Sequence, residues 1–235
     1  MTSQFATLAQ GDPQADPTGA CFRHPRDPET GEELPQKAAQ VMEAGSKLFT
    51  EHGFAAVSMD QVAKAAGVSK ATVYAHFQSK EQLFIAIVRA ACLSYAENVM
   101  PEVRDAPDMR AALTRIGYSI AGFLTSPRTL AVYRVIVAEG PRFPDLARSY
   151  YDIGPRTFKR LLASYLSEAQ DKGLLKIDNP RLASDQFCSM VRGPLYMPFL
   201  LGLGDDPETL KTDTVVEGAV EVFLRAYGPD ARPAA

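Results

Sequence analysis

Residues 58–80, SMDQVAKAAGVSKATVYAHFQSK, restrict the fold more than any other stretch of the chain. Ser58 is placed to N-cap a helix, and Gln61, three residues on, completes an S-x-x-Q capping box. Val62, Ala63 and Ala66 give that helix one apolar face. Gly67 follows where the helix must end in a left-handed conformation that a Cβ would oppose. Ser69 can N-cap a second segment, Lys70 to Phe77, with Val68 filling the space between the two. Ser79 and Gln82 form a further capping box that opens a third helix. Two short helices joined by a Gly-containing turn make a helix-turn-helix, in which Val73 and Phe77 are core and fix the second helix against the first.

A helix of that kind is built to enter a DNA major groove, and the charge distribution bears on this. The formal net charge of −3 over 235 residues argues against indiscriminate binding of polyanions. The charge is uneven, however. Residues 1–36 carry two basic against six acidic side chains, whereas residues 37–92 carry six basic against four acidic. The helix-turn-helix is the basic part, modestly so. Specificity there has to come from a few placed side chains rather than from a charged patch.

The three cysteines, Cys21, Cys92 and Cys188, are odd in number and scattered, so no disulfide framework is expected and a reducing cytoplasm is the simpler location. Cys21 and His24 lack a second ligand pair, and neither a metal nor any other cofactor is expected. No apolar run reaches the length of a membrane span; the best, around Leu195 to Gly204, is broken by Pro198 and Gly202. No signal peptide is expected either.

Residues 1–34 are rich in Pro, Gly, Asp, Thr and Gln and are expected to stay disordered, because they cannot bury enough apolar surface to offset their ordering entropy. From Pro35 a three/four spacing of Ala38, Val41, Met42, Gly45, Leu48 and Phe49 gives an amphipathic helix ending at Gly53. Leu83, Phe84, Ile87, Val88, Ala91 and Tyr95 define a long fourth helix that stops near Met100-Pro101. Helical patterns follow at 108–125, 128–138, 144–172, 180–201 and 207–227, with Pro127, Gly140-Pro141, Gly173, Asn179-Pro180 and Asp206-Pro207 at the breaks. Pro155 falls inside the 144–172 stretch and is expected to split or kink it. The fold class is all-α. Expected domains are a three-helix helix-turn-helix domain at 35–80, a larger helical domain at 81–228 and a flexible tail at 229–235.

The first helix ending in FTEHGF, followed by SMDQVAKAAGVSKATVYAHFQSKEQLF, resembles the DNA-binding domain of the tetracycline-repressor (TetR) family over residues 37–84. The specific motifs are the Gly after the first helix, A-x-x-A-G-V-S, T-x-Y-x-H-F and K-E-x-L-F. The remaining helices are similar to that family's ligand-binding and dimerisation domain in number and length. The resemblance places Lys70, Thr72, Tyr74 and His76 on the exposed side of the recognition helix, beside Ser69. Thr72 then offers a hydroxyl and a methyl to a base edge. Tyr74 and His76 then hydrogen-bond phosphates and Lys70 adds a long-range charge, Lys80 clamps a phosphate at the start of the next helix, and Ser58 and Met59 face the backbone. The chain departs from the pattern at Ala75, which offers only a methyl contact, so base reading leans on Thr72 and Lys70.

Residues 113–199 are rich in aromatics, each better read singly as core. Together, Tyr118, Phe123, Tyr133, Phe158 and Phe187, with Met190 and Arg134, are candidates to line an apolar cavity for a hydrophobic effector. In the family the last two helices pair with those of a twofold mate, which makes Met190, Met197, Val215, Ala219, Val222 and Phe223 candidate dimer residues. A dimer also reads two half-sites at once.

The resulting expectation is a ligand-responsive, homodimeric DNA-binding transcriptional regulator, a repressor released from its double-stranded operator by a small hydrophobic effector. The fourth helix would transmit the change. No membrane partner and no catalysis are expected: Gly-rich phosphate loop, G-x-S-x-G and HExxH are all missing from the sequence. The competing readings are a helical ligand-binding or scaffold protein with a vestigial helix-turn-helix, and, behind it, an all-α enzyme.

Overall fold

The computed structural model describes residues 33–204, 206 and 210–230, and for residues 93–100 the backbone alone. The tail expected at 1–34, with Cys21 and His24, lies almost wholly outside the described residues. The regular elements are α1 (Gln36–His52), α2 (Met59–Ala66), α3 (Lys70–His76), α4 (Lys80–Arg104), α5 (Met109–Thr125), α6 (Pro127–Glu139) and α7 (Pro144–Tyr151). A π-helical turn at Asp152–Arg156 leads into α8 (Thr157–Asp171), followed by α9 (Pro180–Leu200) and α10 (Thr212–Tyr227).

Most helix ends fall where local chemistry puts them. The Ser58 side chain accepts from the Gln61 N–H at 3.3 Å, and Gln61 Oε1 accepts from the Ser58 N–H at 2.8 Å. Gly67 closes α2 in the left-handed region (φ 66°, ψ 30°). Asp108 and Asn179 cap α5 and α9 through the N–H groups of Ala111 and Leu182. At α4 the Ser79 hydroxyl accepts from the Gln82 N–H, but the Gln82 carboxamide reaches back to the Gln78 N–H rather than that of Ser79.

Two boundaries differ from the sequence expectation. The fourth helix does not stop at Met100-Pro101; it continues through Pro101 to Arg104, since a proline near a helix end forfeits only its own N–H bond and one turn follows it. The 144–172 pattern is divided at Pro155, as expected, and the π turn there accommodates the missing donor. The last helix begins at Thr212 rather than 207.

The described residues form two compact units: one of residues 33–96 together with Ala131–Pro155, the other of Glu97–Leu130 with the described residues from Arg156 on. The division does not fall at residue 80. Val135, Ile136 and Leu146 share a core with the helix-turn-helix, a long-range packing choice that no local signal announces.

In the first unit Phe49, Phe54 and Phe84 meet pairwise, with ring centroids 5.4–5.6 Å apart, and Phe143 joins Phe54 edge-on at 5.6 Å. Val62 and Val73, both fully buried, lock α2 and α3 onto this cluster. Burying side chains of this size contributes about 1.5–3 kcal/mol each. In the second unit Leu113, Leu166, Phe187, Leu195, Val216 and Phe223 form the centre, with Phe187 edge-on to Phe223 at 5.3 Å. Gly117 lets α5 approach α10 closely: a Cβ there would lie 2.7 Å from Val216 Cγ1.

Candidate nucleic-acid interface

The short helix α3 is held from one side only. Val73 is fully buried and Phe77 nearly so, while Lys70, Ala71, Tyr74, Ala75 and His76 are exposed. Two inward residues one turn apart make the other face available along the whole helix. Its N-terminus is pinned by Ser69, whose hydroxyl accepts from the Thr72 N–H at 3.0 Å and lies 2.8 Å from Thr72 Oγ1. Thr72 is half-buried, with its hydroxyl oriented by Ser69.

Lys70 is not a free cation. Its ammonium lies 2.8 Å and 3.0 Å from the two carboxylate oxygens of Asp60, and 5.9 Å from the centre of the Tyr74 ring. The hydrogen bond and then the charge of Asp60 raise its pKa above the usual 10.5. Tyr74 is 43% exposed. The His76 ring is tilted against Phe77 at 6.3 Å.

Two expected phosphate contacts look different once placed. Met59 does not present its side chain outward: it is 7% exposed and packs in the core, so a long apolar side chain at the first helical position is spent on burial. Ser58 beside it stays exposed. Lys80 is half-buried, and its ammonium donates to the carbonyl oxygens of Phe54 at 2.6 Å and Ala55 at 3.3 Å. It also lies 4.5 Å from the centre of the Phe54 ring. Burial lowers its pKa, an effect that the carboxylates of Glu81 and Glu139 oppose. In this position Lys80 ties the chain after α1 to the start of α4.

The candidate effector-binding residues divide between the units. Tyr133 and Arg134 belong to the first, where the Tyr133 ring lies 6.5 Å from that of Tyr150 and Arg134 is exposed. Tyr118, Phe123, Phe158, Phe187 and Met190 belong to the second. Phe187 is fully buried core and Met190 packs against that core. Tyr118 donates to Asp213 at 2.9 Å; burial, then that carboxylate, pushes its pKa up to about 12. In the first unit, Ser46, Phe49, Thr50, Phe84, Ile87, Val132 and Val135 enclose a cavity of about 10 Å³, room for roughly one water.

Of the candidate dimer residues, Val215, Ala219 and Phe223 are turned into the second unit's own core, and Met190 is half-buried. Met197 and Val222 are the exposed ones, at 57% and 55%. Three/four spacing on a helix with two apolar rows does not say which row faces inward. The partners that orient Lys70, Lys80 and Tyr118 were also hidden: Asp60 alone left a trace, as an acid within the basic segment.

Among the described residues no helix is long and apolar enough to cross a membrane, and no group of three or more His, Cys, Asp or Glu side chains is placed to hold a metal ion.

A capped helix buried along one face and carrying a second helix with one free face, followed in the chain by a further helical unit, is the arrangement of a helix-turn-helix transcriptional regulator. Residues 41–87 match the family described as bacterial regulatory proteins, tetR family, and residues 111–229 match the C-terminal domain of AefR-like transcriptional repressors. The chain belongs to the TetR family of transcriptional regulators, whose members are not enzymes. It is 26% identical over 210 residues to the HTH-type transcriptional regulator BetI of Rhizobium meliloti (strain 1021), covering 88% of this chain and 98% of that one. Among solved structures, the flavonoid-responsive regulator FrrA is 39% identical, with TM-score 0.68 over 83% of this chain and 99% of that one. A TetR-family regulator from Mesorhizobium loti MAFF303099 is 26% identical, with TM-score 0.70 over 82% of this chain and 97% of that one.

Proposed function

We propose that the protein is a homodimeric repressor, working in the cytoplasm, that binds a double-stranded operator and leaves it when a small hydrophobic effector binds. The observation that carries the DNA-binding part is the one-sided mounting of α3, which leaves Lys70, Ala71, Tyr74, Ala75 and His76 exposed on a helix fixed by Val73 and Phe77. Ala71 and Ala75 offer methyl groups one turn apart, suited to thymine methyls. Tyr74, His76 and Ser58 donate to phosphates, which set register without reading sequence. Ser69 acts by orienting Thr72, and Lys80 by holding the turn beneath the motif.

Dimerisation brings two such helices to two half-sites, and the exposed Met197 and Val222 of the last two helices supply apolar surface for it. The repressor reading draws support from the description of the matching C-terminal family. The effector reading draws support from the aromatic side chains of 118–199 and from FrrA, a neighbour that responds to flavonoids. A planar, largely apolar aromatic is accordingly the ligand class proposed for this chain.

The test is fluorescence anisotropy with a duplex from the gene's own upstream region over a salt series, with and without a flavonoid. Expected are salt-dependent binding by a dimer, weakening for Tyr74→Phe with Thr72→Ala at unchanged circular dichroism, and release by the flavonoid. Absence of salt-dependent binding would sink the repressor reading.

A further inference from the structure

Val73 is the buried anchor of α3, and it fixes which side chains stand farthest from the core. Ala71 and Ala75 lie two residues to either side of it. At about 100° per residue, each falls within about 20° of the direction opposite to Val73. Both are exposed. The polar side chains stand on the flanks of this crest. Lys70 and Tyr74 share one flank, with the Lys70 ammonium 5.9 Å from the centre of the Tyr74 ring. Thr72 and His76 share the other, where the Thr72 hydroxyl lies 2.8 Å from that of Ser69 and the His76 ring is tilted against Phe77. The crest is therefore a pair of methyl groups one turn apart, with no side-chain donor or acceptor of its own.

We propose that this crest reads the C5 methyl group of a pyrimidine, so that the protein accepts 5-methylcytosine in place of thymine and binds more tightly where a cytosine facing Ala71 or Ala75 is methylated. The inference rests on α3 entering the major groove, as proposed above. In that groove thymine presents O4 and its methyl, whereas cytosine presents the N4 donor alone. A methyl at C5 of cytosine gives it the same apolar projection on the groove floor. An alanine gains from either methyl by removing apolar surface from water. It has no group with which to tell O4 from N4. A hydrogen-bonding side chain on the crest would separate thymine from cytosine whatever the methylation. Two alanines separate them by the methyl.

The experiment starts from a duplex enriched from a randomised pool by the wild-type protein. Each thymine in turn is replaced by deoxyuridine, which deletes the methyl and keeps the base pair. Positions that respond are rebuilt as C·G and as 5-methyl-C·G, and affinities are measured for wild type, Ala71→Gly and Ala75→Gly. At one or more thymines, uracil should weaken wild-type binding about fourfold for each methyl removed. There 5-methylcytosine should restore most of the affinity that unmethylated cytosine loses. The ratio of thymine to uracil affinity should fall to about one when the facing alanine becomes glycine. Because that ratio is taken within one variant, a loss of helix stability from glycine does not move it. Uracil without effect at every thymine overturns the inference. So does a uracil effect that survives both glycine variants, which would place the methyl against a flanking side chain. So does 5-methylcytosine that binds no better than cytosine, which would mean that O4 or the paired purine is read. Each of these leaves the proposed function standing; if the wild type enriches no duplex and binds none, the proposed function falls and this inference with it.

Discussion

The Lys80 ammonium donates to the Phe54 carbonyl oxygen at 2.6 Å and sits 4.5 Å from the centre of the ring of the same residue. One side chain at the start of α4 thereby satisfies a carbonyl of the chain following α1 and covers the aromatic that anchors the first core. A lysine at this position in the sequence reads as a phosphate contact; in the fold it is first a structural clamp.

Lys80→Met should therefore lower stability as well as DNA affinity. A hydrogen bond from a charged donor, discounted for partial exposure, makes the loss about 1 kcal/mol. For a chain of this size that is roughly 2–4 °C in melting temperature. A purely DNA-facing lysine would leave the melting curve of the free protein in place. The pH dependence carries a sign as well. Because burial lowers the folded-state pKa below 10.5, the unfolded chain holds more protons just below that pH. Lys80 thus makes stability rise as pH climbs toward 10.5, and Lys80→Met should remove that rise in denaturant melts.

Gly117→Ala should destabilise the second unit. The added Cβ would meet Val216 Cγ1 at 2.7 Å, and Val216 is fully buried and stiff at χ1. Overpacking of this kind costs about 1–3 kcal/mol. Adding Val216→Ala should recover much of the loss, so the double variant should be more stable than the sum of the single losses predicts. Strict additivity in chemical denaturation would show that the contact is not the cause.

Tyr118 should be a late-titrating tyrosine of the second unit, where burial also raises the Tyr165 hydroxyl above its ordinary range. Burial and the bond to Asp213 raise its pKa from 10.0 to about 12. The folded form thus holds its proton more tightly than the unfolded chain does. Its contribution to stability is complete below about pH 10 and is lost as pH rises through about 12. An ultraviolet titration of tyrosinate should show a component near pH 12 that Tyr118→Phe or Asp213→Asn removes or shifts downward.

Val222 and Phe223 are neighbours in sequence with opposite consequences. Val222 is 55% exposed and Phe223 fully buried. Val222→Glu should shift sedimentation toward monomer at unchanged helicity if the exposed row forms the dimer. Phe223→Ala should cost about 3–5 kcal/mol of stability whatever the oligomeric state.

The sequence by itself determined whatever is settled within a turn or two of chain. Ser58 with Gln61, Gly67 in its left-handed conformation and Ser69 against Thr72 act through bonds to backbone groups a few residues away, and the prolines at 127 and 180 through their fixed φ and missing N–H. Helix order and the all-α class were legible for that reason, while the exposed side of α3 was an expectation from the family resemblance. Tertiary structure alone decided the rest. It paired Asp60 with Lys70 across the turn, Lys80 with Phe54, Tyr118 with Asp213 and Gly117 with Val216. It carried α4 past Pro101 and brought Val135, Ile136 and Leu146 to the helix-turn-helix. It also turned Met59, Val215, Ala219 and Phe223 inward. Helical periodicity shows that an apolar row must be buried, but only the packing of distant segments chooses the row and the partner, because the free energy of burial depends on area removed from water and not on distance along the chain.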